Sequence, residues 1–432
     1  MTAVTSEKTV SRKKFSLKRA QIYGILYLIV GIFIVVVFAG GAEAGQTTTF
    51  GLTPPRADTI PLPDLVFPSQ ISLYVMAVIM AFVGGWQLAK GFKRINLVLV
   101  FMAILFVVAF LAWAARGRSL NVTSLIASAL LRAVPIALAG LSGVLCERAA
   151  VINIAIEGMM LGAAFSTTVG ASIASNIWLW SDPAALMFGL LIGLLTGGLL
   201  GLLLAVMAVR YRMDQIVAGT AINILATGIT SFLSSRILVE FQNLNQAPIF
   251  PKIPIPLLSR IPVLGPILFS QNLLFYLMFV VIAASHVMLF YTRWGLRTRA
   301  VGEHPKAADT LGVRVYFTRY VNTVLGGVVA GLAGAFLVIG SVGRFDEVMT
   351  AGKGFIGLAA MIFGKWMPFG VFGAASIFGF ADSLQSKLAI LNVPIPSQFL
   401  LMAPYLITII VLAGVIGEAN PPAADGEAYV KE

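Results

Sequence analysis

Carboxylates and amides inside apolar stretches are the chemically distinctive residues of this chain. Asn153 and Glu157 lie four apart and Asp382 and Gln385 three apart, so each pair shares one helical face. Asn223 stands alone in another apolar stretch. A carboxylate at membrane depth is costly unless paired or wetted. Glu157 is expected about six residues, roughly 9 Å, past the start of its segment. Each of the five either bonds a neighbouring helix or lines a path for a polar solute, and the sequence leaves both readings open. Enzymatic chemistry finds no support. The zinc-protease pattern H-E-x-x-H and the serine-hydrolase pattern G-x-S-x-G are absent. A lone cysteine, Cys146, excludes an internal disulfide or a multi-cysteine metal site, and two histidines, His286 and His304, exclude a histidine-rich one. No P-loop pattern is present, so the chain is expected to hold neither ATP nor a cofactor itself.

A second stretch is charged rather than apolar. "GLRTRAVGEHPKAADTLGVR", Gly295 to Arg314, carries Arg297, Arg299, Lys306 and Arg314 beside Glu303 and Asp309. An ordinary positively charged cytoplasmic loop explains the charge alone. The mixture of Gly, Pro, Ala and both signs of charge points further, to a shaped surface against which another protein docks. The spacing of Ala300, Ala307, Ala308 and Leu311 predicts a short helix lying across the membrane face. Pro305 is tolerated in its first turn, and Gly312 would end it.

This stretch resembles the cytoplasmic coupling segment of permease subunits in ABC-type importers, in the branch that holds the ribose and branched-chain amino acid permeases. The matching residues are Gly302, Glu303, Pro305, Ala307, Ala308 and Gly312, and Asp309, which lies between the last two, is expected to share the coupling site. "CERAAVINIAIEG", Cys146 to Gly158, is similar to a signature of nucleoside and simple-sugar importer permeases, with Ala150 and Ala155 where that family usually has glycine. "IPIPLLSRIPVLGPILFSQN", Ile253 to Asn272, resembles the same subfamily's proline-rich external loop, with Arg260 in place of a common acidic residue. "FDEVMTAGKGFIGLAAMIFGKWMPFG" and "FGFADSLQ", Phe345 to Gln385, fit the subfamily pattern too.

The resemblance covers about 120 to 417. It implies a permease that moves nucleosides or simple sugars by alternating access. ATP and Mg would be bound by a separate ABC ATPase. A second related permease and a substrate-binding lipoprotein or periplasmic protein would complete the importer. The resemblance leaves a branched-chain amino acid permease open as well. A cation-coupled secondary transporter, which would need Glu157 and Asp382 as a paired ion site, and a membrane assembly subunit are the readings from other classes.

The elements that must position these residues are read from composition. The chain has 432 residues, 59% hydrophobic and only 11% charged, against about a quarter charged in soluble domains. Continuous apolar runs exclude a β-barrel. The fold class is an all-α polytopic membrane protein. Segments near 21–39, 71–89, 95–115, 122–145, 151–174, 184–209, 214–236, 271–292, 318–341, 367–389 and 399–417 make about eleven spans of bilayer length. "GFIGLAAMIFG" at 354–364 is too short to span and is expected to be a re-entrant half-helix or the first half of a broken one. Gly189, Gly193, Gly197 and Gly201, with Gly327 and Gly331, predict close helix packing.

Basic residues set the orientation. The net charge of +12 fits cytoplasmic loops in a lipid bilayer better than nucleic-acid binding. Lys8, Arg12, Lys13, Lys14, Lys18 and Arg19 predict a cytoplasmic N-terminus, and the resemblance implies a prokaryotic plasma (inner) membrane. The following stretch mimics a signal peptide, but its length favours an uncleaved first helix. Three regions are expected: an extension with three spans over 1–119, a permease core over 120–417, and an acidic tail over 418–432.

Overall fold

The computed structural model describes residues 19–43, 45–55, 59–391, 393, 402 and 420–431. The expected span at 399–417 and the basic residues from Lys8 to Lys18 lie outside them. Thirteen helices are described: α1 (Arg19–Phe33), α2 (Ser69–Ala89), α3 (Ile95–Ala114), α4 (Val122–Glu147), α5 (Ile156–Ser172), α6 (Asp182–Ala205), α7 (Gln215–Leu233), α8 (Leu273–Tyr291), α9 (Arg293–Glu303), α10 (Pro305–Thr310), α11 (Val315–Leu337), α12 (Lys353–Phe363) and α13 (Pro368–Ile390). The chain is an all-α polytopic membrane protein. Among the described residues, eight helices are long and apolar enough to cross a bilayer.

The chain divides into two compact units, Met1–Leu52 with Pro63–Asn121, and Thr53–Leu62 with Val122–Glu432. In the first, α1 and α2 approach closely where Gly24 meets Gly84, and Gly31 lies against the backbone of Ala77. Phe38, Phe110 and Trp113 form an aromatic cluster. The stretch from 40 to 70 holds two strands, β1 (Thr47–Gly51) and β2 (Leu65–Pro68), and β1 also pairs with β3 (Ser119–Asn121) in the order β2-β1-β3. The β-branched run Thr47-Thr48-Thr49 favours the extended chain. Thr48 is buried and donates its hydroxyl hydrogen to the Ala112 carbonyl (2.9 Å).

In the second unit, α4 and α11 are central. About four-fifths of their apolar stretches are buried, 83% and 78%, against 33–39% for α6, α7 and α8. The glycine spacing has the packing role expected of it. A methyl group at Gly197 would collide with the backbone of Gly327 and Gly331, and one at Gly201 would meet Thr323 and Gly327. Gly189 and Gly193 face α5 at Ala171 and Thr167. The stripe lets α6 lie against both neighbours, and small residues of this kind are what allow helices to approach in a bilayer. The proline-rich loop after α7 carries a short hairpin, β4 (Lys252–Pro254) against β5 (Ser270–Asn272).

Candidate functional site

The polar residues of α5 meet the start of α12. Both carboxylate oxygens of Glu157 accept hydrogen bonds from backbone, Oε1 from Gly352 N–H (2.7 Å) and Oε2 from Gly354 N–H (2.6 Å). These are free donors at the first turn of α12, where unpaired N–H groups and the helix dipole favour an anion. Asn223 of α7 clamps the other side of the α5 start. Its side chain donates to the Ile154 carbonyl (2.8 Å) and accepts from Gly158 N–H (2.7 Å). Asn153 is fully buried and donates to Ser142 Oγ (3.3 Å). Asn153, Glu157 and Asn223 therefore gather around one helix start.

Asp382 and Gln385 do not join them. Asp382 pairs with Arg132 of α4 at 2.9 Å, and Gln385 is half-buried one turn further along α13. With Glu157 held by α12 and Asp382 by Arg132, the two carboxylates form no paired ion site. Among the described residues, no group of three or more His, Cys, Asp or Glu could hold a metal ion.

The path of the chain into α12 departs from both sequence expectations. At the end of the unit remote from α9, Asn245 exchanges two hydrogen bonds with the backbone of Phe345. Phe345 then packs edge-on against Phe165 of α5 at 5.3 Å. The chain reaches Glu157, α12 runs beside Ala139 and Gly140 of α4, and Arg148 donates to the Trp366 carbonyl (3.1 Å) near the end of α4. Residues 345–366 thus complete one crossing, irregular in its first half and helical in its second. Gly352, at φ +78°, turns the chain into the helix.

The charged stretch forms two helices where one was expected. Thr292 caps α9, accepting from Gly295 N–H (3.2 Å). The chain breaks at His304, whose Nδ1 accepts from Ala307 N–H (3.1 Å) to cap α10. Pro305 takes the first helical position, and Gly312, at φ +80°, follows the last turn. Gly302 is buried against the Arg148 carbonyl, where no side chain would fit. Ala308 packs with Val301, Val315 and Tyr429. Ala307 is exposed and Leu311 is 84% exposed, so the apolar positions of α10 do not all face inward.

Arg293, Arg297, Lys306 and Arg314 are exposed beside Leu296 and Leu311. This end of the unit presents a basic, partly apolar face.

The residues that sequence reasoning missed lie in the tail. Residues 420–431 lie against α9, α10 and the start of α11. Ala424 N–H donates to the Gly302 carbonyl (2.9 Å) and Ala423 N–H to Glu303 Oε2 (3.3 Å). Lys431 lies 3.6 Å from Asp309. The buried Arg319 of α11 donates to the Glu427 carbonyl (2.8 Å). Asp425 lies beside Glu147, the last residue of α4, and Glu147 accepts from Trp366 Nε1 (2.6 Å). Burial pushes the Asp425 carboxyl up to about 6, against the lowering effect of Arg319. An acidic tail gave no signal for this, because the partners are backbone groups and residues far away in sequence.

The fold and these motifs define the membrane-spanning subunit of a transporter. The chain belongs to the family described as branched-chain amino acid transport system / permease component, whose model matches residues 125–416. It is 41% identical over 314 residues to the guanosine ABC transporter permease protein NupQ of Bacillus subtilis, covering 71% of this chain and 96% of that one. It is 41% identical over 321 residues to the nucleoside ABC transporter permease protein NupC of Lactococcus lactis subsp. cremoris, with the same coverage. A putative glucose ABC transporter permease protein of Haloferax volcanii, TsgC13, is 31% identical over 64% of this chain and 86% of its own length. No solved structure matches. The family match begins four residues after the first unit ends.

Proposed function

We propose that this chain is a permease subunit of an ABC importer for nucleosides, set in a prokaryotic plasma membrane with its N-terminus in the cytoplasm. The carrying observation is the exposed face of α9 and α10, where Arg297, Lys306 and Arg314 stand beside Leu311 over a packed base. A separate ATPase would dock there, with Gly302, Glu303, Pro305, Ala307, Ala308, Asp309 and Gly312 shaping the contact. Closure of that ATPase on ATP would push α9 and α10 and rock α4, α5 and α11 between outward and inward access. Asn153, Glu157, Asn223, Asp382 and Gln385 would supply the polar groups along or beside the pathway. A second related permease and a substrate-binding protein would complete the assembly. The identity to NupQ and NupC supports nucleosides over sugars.

The test is co-purification from gently extracted membranes. Wild type should bring down an ATPase, and Leu311→Asp, which places a carboxylate on the basic apolar face, should lose it. Wild type without any ATPase would defeat the proposal. Uptake of labelled guanosine, competed by adenosine and not by glucose, would establish the substrate class.

A further inference from the structure

The tail contacts reach more than one element. Ala423, Ala424 and Lys431 hold α9 and α10 through Glu303, Gly302 and Asp309. Asp425 lies at the end of α4, beside Glu147. Glu427 holds α11 through the Arg319 guanidinium, and the Tyr429 ring lies tilted against that of Tyr316 (5.3 Å between centroids) while its carbonyl accepts from the Tyr316 hydroxyl (3.4 Å). Tyr429 also completes the small core formed by Val301, Ala308 and Val315. Arg319 is 1% exposed, and the Glu427 carbonyl supplies its side chain with a hydrogen-bond acceptor at 2.8 Å. A buried charge needs such partners.

Apart from the tail, α9 and α10 touch the pathway helices through Gly302 on the Arg148 carbonyl, Thr298 on Asn322, Trp294 edge-on to Phe317 and the packing of Val301 and Ala308 on Val315, and only the first of these reaches α4. We propose that residues 420–431 are a clasp that fastens α9 and α10 to the ends of α4 and α11, so that a push on the coupling helices reaches the pathway. This rests on the coupling reading above. The clasp is needed for transmission and leaves Arg297, Leu311 and Arg314 of the docking face exposed.

The test uses the complete transporter in proteoliposomes, with ATPase retention, ATP hydrolysis and solute uptake measured together. A chain truncated after residue 419 should keep its ATPase and hydrolyse ATP, but move at least tenfold less solute per ATP. Ala424→Pro, which deletes the N–H given to Gly302, should lower the same ratio without shortening the chain. If either well-assembled variant moves as much solute per ATP as wild type, the clasp is wrong. Absence of ATPase from the unaltered chain would instead overturn the coupling reading.

Discussion

Glu157 illustrates how one side chain organises a crossing. Its two oxygens take the two N–H groups that the start of α12 leaves unpaired. Leaving a buried donor without its acceptor costs about 1–3 kcal/mol. Glu157→Gln retains one acceptor and turns an N–H₂ toward a donor, so it should lower stability by about that amount. Thermal unfolding in detergent, with and without guanosine, measures the loss, and uptake should fall with it. Asp425 gives a prediction of opposite sense to most carboxylates. Its folded pKa is raised to about 6 from 3.8 by burial, so its contribution is fully present below its unfolded pKa and is lost as pH rises through about 6. The charged groups facing it are Glu147 of α4 and Arg319 of α11. Exchange protection of residues 422–431, corrected for intrinsic rate, should therefore be higher at pH 5 than at pH 7.5. Asp425→Asn should remove most of that difference.

Among the elements, the α6–α11 seam is the most constrained. A methyl at Gly197 has no room against Gly327 and Gly331. Overpacking of this kind typically costs about 1–3 kcal/mol, so Gly197→Ala should lower the melting temperature while Gly228→Ala, where nothing lies within 4 Å, should not. Much of this level was legible from residue spacing. The glycines four apart marked the seam, and apolar runs placed α1 to α4, α6 to α8, α11 and α13 within a few residues. Three things were not legible. The strands of the 40–70 stretch depend on pairing with residues 119–121, which no local pattern encodes. The break at His304 depends on a side chain capping the next helix. The irregular half of the crossing before α12 exists because Glu157, 195 residues earlier, satisfies its backbone.

For the whole molecule, the placement of Glu157 and Asp382 bears on the energy source. Glu157 is engaged by α12 and Asp382 by Arg132, so these two do not form the paired site that a driving cation would need. Uptake into ATP-loaded vesicles should accordingly persist after a protonophore and a sodium ionophore collapse the gradients, and stop when ATP is omitted. The motif order carried the family from sequence alone, because docking and signature segments are local. The arrangement of the tail against four helices was hidden, since its partners come from residues 147, 302, 309 and 319.

The bond between Glu157 and α12 also sets a schedule for synthesis. At about 5–20 residues per second, the 195 residues between Glu157 and Gly352 take roughly 10–40 s to emerge. Throughout that interval the carboxyl group is already in its segment and neither of its donors has been made. The nascent chain therefore passes through a stage in which this carboxyl group is uncapped, and membrane quality control can sample it. Chains halted before residue 350 should be degraded faster than the same chains carrying Glu157→Leu. Once α12 has inserted, the order should reverse, with the leucine variant becoming the shorter-lived one.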